Sequence, residues 1–192
     1  MTRTFALLLV LVSLVAPSFA NAEEINILRV EHDGEYTTWL FHEKDGWNLN
    51  AITSTAGWAG LEIGPTFALG NLLVQPLAAV NYVGGEIQTW SVLPEVFLIY
   101  TDSTWDCQSW NLAAFSPDAK PTFTYRTYVV MNGIIPMVGI GAQVEGILQT
   151  GTDTRMIGGV LSYATSRGTL YSFLGKTREG SSFARIALVV PL

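Results

Sequence analysis

Cysteine is nearly absent from this chain: Cys107 is the only one in 192 residues. A lone thiol forms no intrachain disulfide and builds no cysteine-based zinc cluster, so it reads as a small apolar filler. Histidine is almost as scarce, with His32 and His42 alone. Charged residues make up 14% of the composition, with 16 acids against 10 bases and a net charge of −6. That balance excludes the basic surface a nucleic-acid partner requires. Long apolar runs are missing as well. Beyond the N-terminal segment nothing approaches the roughly 18 consecutive apolar residues of a membrane-spanning helix. No Walker loop, dinucleotide fingerprint or G-x-S-x-G elbow is present, and no cofactor is expected.

The N-terminus has the features of an export signal. Arg3 supplies a positive start, Phe5 to Val15 are apolar, and Ala20-Asn21-Ala22 fits an A-x-A cleavage site. Residues 1–22 are therefore expected to be a signal peptide cleaved after Ala22, with Ala20 as the alternative. Residues 23–34 read as an acidic, solvated leader and a weak first strand, carrying Glu23, Glu24, Glu31 and Asp33, with Glu35 just beyond. His32 within this leader is a solvated residue on this reading and not a metal ligand. The remainder, 35–192, reads as one domain.

What the chain has in abundance is alternation. Ala59, Leu61, Ile63, Pro65, Phe67 and Leu69 interleave with Gly60, Glu62, Gly64, Thr66, Ala68 and Gly70. A period of two is the mark of a strand with two unlike faces. The pattern recurs in windows 25–31, 35–42, 46–54, 57–69, 71–83, 86–101, 104–116, 121–131, 134–148, 152–165, 168–177 and 181–191. Turn signals separate them, among them Asp45-Gly46, Gly70-Asn71, Asn132-Gly133 and Arg167-Gly168. Many windows exceed the usual soluble strand of about five or six residues and suit tilted transmembrane strands of about nine to eleven. The expectation is an all-β, up-and-down antiparallel transmembrane β-barrel of about twelve strands, with eight or ten as alternatives.

The phase of the alternation sorts the charges. With the apolar face against lipid, Glu62, Glu95, Arg126, Glu145 and Arg185 become lumen-lining candidates, with Arg155 and Lys176 as secondary ones. Arg or Lys on the lipid face near the midplane costs about 2–4 kcal/mol, whereas inside a barrel it can pair or stay hydrated. Trp39, Trp47, Trp58, Tyr82, Tyr100, Trp105 and Tyr125 near run ends fit interfacial girdles. Pro65, Pro76, Pro94 and Pro136 fall inside apparent strands. They mark bulges or strand ends, or else a weakened ladder opening laterally to lipid.

Over residues 35–192 the chain resembles small bacterial outer-membrane β-barrel proteins. It departs from their pattern at its end, where Val190-Pro191-Leu192 replaces a terminal aromatic. The resemblance implies a porin-like protein of the Gram-negative cell outer membrane, of structural or narrow passive-channel type. Its partners would be outer-membrane lipid and small solutes, with no nucleic acid. Two other readings compete. One is a soluble periplasmic β-barrel with an apolar ligand inside. The other is a lipid-modifying enzyme using His42, Ser103 and Asp102, although no motif supports that constellation and no enzyme activity is expected.

Overall fold

The computed structural model describes residues 23–31, 33–84, 89–117, 119–149 and 152–191. The expected signal peptide, 1–22, and His32 lie outside the described residues. Thirteen strand segments follow in chain order: β1 Glu23–Glu31, β2 Tyr36–Lys44, β3 Trp47–Ser54, β4 Trp58–Pro65, β5 Phe67–Leu69, β6 Leu72–Val83, β7 Thr89–Thr101, β8 Trp105–Ser116, β9 Ala119–Ile135, β10 Val138–Gln149, β11 Thr152–Thr165, β12 Gly168–Thr177 and β13 Ser182–Pro191. No helix occurs among the described residues.

Successive strands pair antiparallel except β4 with β5, and two further contacts close the ring. β1 pairs with β13, and β4 pairs with β6. β4 and β5 occupy one wall position, since β4 pairs with Ala78–Val83 of β6 and β5 with Leu72–Val74. Thirteen segments with two in one position make a closed barrel of twelve strands, the architecture expected from the alternation. Closure leaves no open sheet edge, which is what allows strands to cross a bilayer.

Three local features differ from the sequence reading. The Asn132-Gly133 pair lies inside β9, and the chain reverses instead at Pro136–Met137, where Met137 has φ 65°. An Asn-Gly pair is a strong hairpin signal, but here Gly133, φ 86°, is accommodated within the strand. Pro136 serves the turn, where a missing N–H breaks no ladder bond. The window 57–69 is broken at Thr66, between β4 and β5. The segment 23–34 holds a full barrel strand: seven residues of β1 pair with β13, and its other edge pairs with β2.

The remaining prolines sit where ladders lapse. Ile63 faces Ala78, and continuing that register sets Pro65 opposite Pro76, beyond the last residues of β4 paired with β6, while its other edge still faces Trp47 on β3. On β7, Val92 and Glu95 have partners on β8, while Leu93 and Pro94 between them have none there.

The outward face is apolar and banded. Leu61, Ile63, Val80, Val92, Val129, Ile140, Val144, Ile157, Leu161, Leu174 and Ile186 are exposed. Near one end lie exposed Trp47, Phe67, Trp105 and Tyr163, and near the other Tyr36, Trp90, Phe115 and Phe123. Aromatic rings at both ends of an aliphatic band are the signature of a membrane-spanning barrel. The inward face holds the polar residues and two apolar clusters. One gathers Tyr128, Val130, Val160, Tyr171, Phe173, Phe183 and Ala187, and the other Ala79, Leu93 and Leu112.

Candidate functional site: the barrel lumen

Strand phase delivers the chemistry of the lumen. In β10, Val144 is 40% exposed on the outer face while Gln143 and Glu145 are buried. In β13, exposed Ile186 and Leu188 alternate with buried Arg185 and Ala187. Glu62, at 1% exposure, and Glu95, at 4%, are likewise buried behind exposed Leu61, Ile63 and Val96.

Three of these charges, Arg126, Glu145 and Arg185, with two others, Arg29 and Glu31, make one ion network. Arg126 grips Glu145 with two bonds, Nε to Oε2 at 2.7 Å and Nη2 to Oε1 at 2.8 Å. This fork-on-carboxylate geometry is the strong form of the interaction. Arg185 donates to Glu145 Oε2 through Nη1 at 2.8 Å and to Glu31 Oε1 through Nε at 2.6 Å. Arg29 Nε lies 2.9 Å from the same Glu31 oxygen, and its guanidinium stacks 4.4 Å from the Trp39 ring. Gln143 Nε2 adds a bond to Glu145 Oε2 at 3.0 Å. Three arginines thus meet two glutamates on one wall, so the network carries one excess positive charge.

Glu62 and Glu95 lie on the opposite wall, outside this network. Asn50 Nδ2 donates to Glu62 Oε2 at 3.0 Å, and Trp110 Nε1 donates to Glu95 Oε2 at 2.7 Å. Trp110 also links the two walls, since the Arg126 guanidinium sits 5.5 Å from its ring. A chain of contacts therefore runs across the lumen from Glu95 through Trp110, Arg126, Glu145, Arg185 and Glu31 to Arg29.

Beside this chain lies a cavity of about 110 Å3, faced by Arg29, Arg126, Arg185 and the rings of Trp39, Phe41, Phe97, Trp110, Tyr128, Tyr171 and Phe173. A second cavity of about 320 Å3 opens toward the end of the barrel that carries Glu23 and Pro191, with Asp106, Asn132 and Ser162 on its walls. Gln108 and Tyr171 line both. Tyr171 donates its hydroxyl to Asp106 at 2.6 Å, fixing the ring at the junction.

The secondary candidates lie elsewhere. The Arg155 side chain is 58% exposed and pairs with Asp153 at 2.9 Å, and Lys176 is also exposed. Trp39, expected in a girdle, is buried at 7% exposure beneath Arg29. Arg29 and Glu31 were not among the expected lumen residues. Their signal was present in the alternation of Leu28 and Val30 with Arg29 and Glu31, but the acidic leader obscured it. Glu35 is held at the barrel rim by the hydroxyl of Ser54 and by Trp58 Nε1, the latter at 3.2 Å.

The His42–Ser103–Asp102 constellation gains no support. Asp102 accepts from the Tyr100 hydroxyl and from the amides of Thr104 and Trp105, each at 2.7 Å. Those bonds, that of Tyr100 foremost, hold its carboxyl below the ordinary aspartate range and engage it in shaping its own turn.

No protein-family model and no curated protein sequence matches the chain. Solved structures do resemble it. The KdgM porin in complex with disordered oligogalacturonate superimposes with a TM-score of 0.65 at 11% identity, covering 88% of this chain and 99% of that one. The NanC porin gives 0.57 at 14% identity, covering 90% and 99%. An outer membrane channel from Pseudomonas putida F1 gives 0.59 at 10% identity, covering 91% and 97%. At these identities the likeness is one of fold, and the fold is that of porin-type outer-membrane β-barrels.

Proposed function

We propose that the chain is a narrow passive channel of the bacterial outer membrane, exported by a cleaved signal over 1–22, and that its lumen favours small anionic solutes. The observation that carries this reading is the lumenal cavity faced by Arg29, Arg126 and Arg185, whose network has three positive charges against two negative. A polar lumen within an apolar outer band gives a solute a path that lipid does not, and a local cluster of arginines along that path selects by sign. The KdgM porin, of the same fold, has been solved with oligogalacturonate, which accords with a lumen wall rich in arginine. Glu62, Glu95, Arg126, Glu145 and Arg185 line the conduit, joined by Arg29 and Glu31.

Single-channel conductance in planar bilayers tests the proposal. Under a salt gradient the parent protein gives a reversal potential favouring anions, and Arg29→Gln and Arg126→Gln each move it toward cations. These two positions are chosen because Glu31 and Glu145 keep Arg185 as a partner in either variant. A parent protein without conductance, or a reversal potential unmoved by both substitutions, contradicts the channel reading.

A further inference from the structure

The two walls of the lumen treat their carboxylates differently. Glu145 and Glu31 each face an arginine, whereas no ion pair reaches Glu62 or Glu95 among the described residues. Glu62 and Asn50 are among the most deeply buried side chains, at 1% and 0% exposure. Although Asn50 Nδ2 satisfies Glu62 Oε2, two acceptors beside that bond, Glu62 Oε1 and Asn50 Oδ1, are buried without any partner. Glu95 uses Oε2 for Trp110, which leaves Oε1 available. Register brings the two carboxylates together. Glu62 on β4 faces Ala79 on β6, Ala79 faces Leu93 on β7, and Glu95 follows two residues later on the same inward face. On β6, Ala79 faces Glu62 and its inward neighbour Leu77 faces Glu95. Buried oxygens lacking donors are satisfied by a donor, a proton or a cation, and a set of two carboxylates and one amide carbonyl is the hard, all-oxygen kind that suits a cation.

We propose that Asn50 Oδ1, Glu62 Oε1 and Glu95 Oε1 form a cation site in the lumen wall that takes Ca2+. Calcium accepts six to eight oxygens in flexible geometry at about 2.3–2.6 Å, so three protein oxygens with water completing the shell suit it better than Mg2+, which demands near-ideal octahedral geometry. The bound ion neutralises the acidic wall and ties β3, β4 and β7 together across β6. It leaves the arginine wall as the uncompensated charge of the lumen. The site stands on side-chain geometry alone and does not depend on solute passage.

Terbium reports on it, because Trp110 is hydrogen-bonded to a proposed ligand and can sensitise lanthanide emission. The full mature barrel, folded in detergent and titrated with Tb3+, gives saturable emission on tryptophan excitation, which Ca2+ displaces. Glu62→Gln/Glu95→Gln abolishes the saturable signal. Glutamine preserves an acceptor for Asn50 and Trp110, and retained gel mobility of the unheated variant shows that it has folded. Thermal unfolding gives a second readout: Ca2+ raises the midpoint of the parent relative to EDTA and leaves that of the double variant unmoved. Absence of saturable emission together with a parent midpoint indifferent to Ca2+ overturns the proposal. So does undiminished emission in the folded double variant, which would place the ion among surface acids.

Discussion

Glu145 accepts hydrogen bonds from Arg126 on β9, Gln143 on β10 and Arg185 on β13, so one carboxylate ties three strands together across the lumen. Removing one partner of a buried ion pair costs about 3–5 kcal/mol, because the group left behind is charged and unpaired. Glu145→Gln leaves Arg126 without its charged acceptor and halves the acceptors of Arg185. Urea titration of the detergent-folded protein should show a loss of that size, and an unchanged midpoint would mean that water, not Glu145, neutralises the arginines. At this scale the sequence was informative where alternation was clean. Arg126, Glu145 and Arg185 sit opposite Val129, Val144 and Ile186, so phase alone separates them from the outer face. Trp39 shows where phase needed more weight. An aromatic near a strand end suits an interfacial girdle, yet Trp39 shares the inward phase of buried Thr37 and packs beneath Arg29.

Strands were more legible than the turns between them. A strand facing lipid on one side and a polar lumen on the other must alternate throughout, and a one-residue slip would reverse every side chain. Turn signals are shorter and compete with one another. Asn132-Gly133 and Pro136 lie within a few residues, and the chain reverses at the second. Thr66 breaks a run whose alternation is unbroken in the sequence; its amide extends the β3 register to the Gly46 carbonyl at 2.7 Å, while pairing with β6 lapses there. Such a backbone choice leaves no mark on hydrophobic period. Glycines carry a further element-scale constraint. A Cβ on Gly141 would fall against the Val129 carbonyl of the adjoining strand, while one on Gly159 would meet nothing closer than 4.0 Å. Gly141→Val is therefore expected to lower the thermal midpoint of the folded barrel or prevent its folding, and Gly159→Ala to leave it near the parent. Equal behaviour of the two would show that β9 and β10 are not held at this separation.

For the molecule as a whole, the outer band, the two aromatic rings and ring closure through β1–β13 and β4–β6 act together. The exposed aliphatic residues would be a liability in water, and the same surface suits a barrel whose band faces lipid. Strand number and antiparallel order followed from the sequence. The network joining Arg29 to Glu145 did not, because its members come from β1, β9, β10 and β13 and meet only once the ring has closed. The most direct test of a lipid-spanning closed barrel is electrophoretic mobility of the mature protein extracted from outer membranes, compared with and without boiling. A lipid-spanning closed barrel gives detergent-dependent solubility and a heat-dependent shift, since it resists the denaturant until heated. A protein that stays dissolved without detergent and migrates identically in both samples would contradict it.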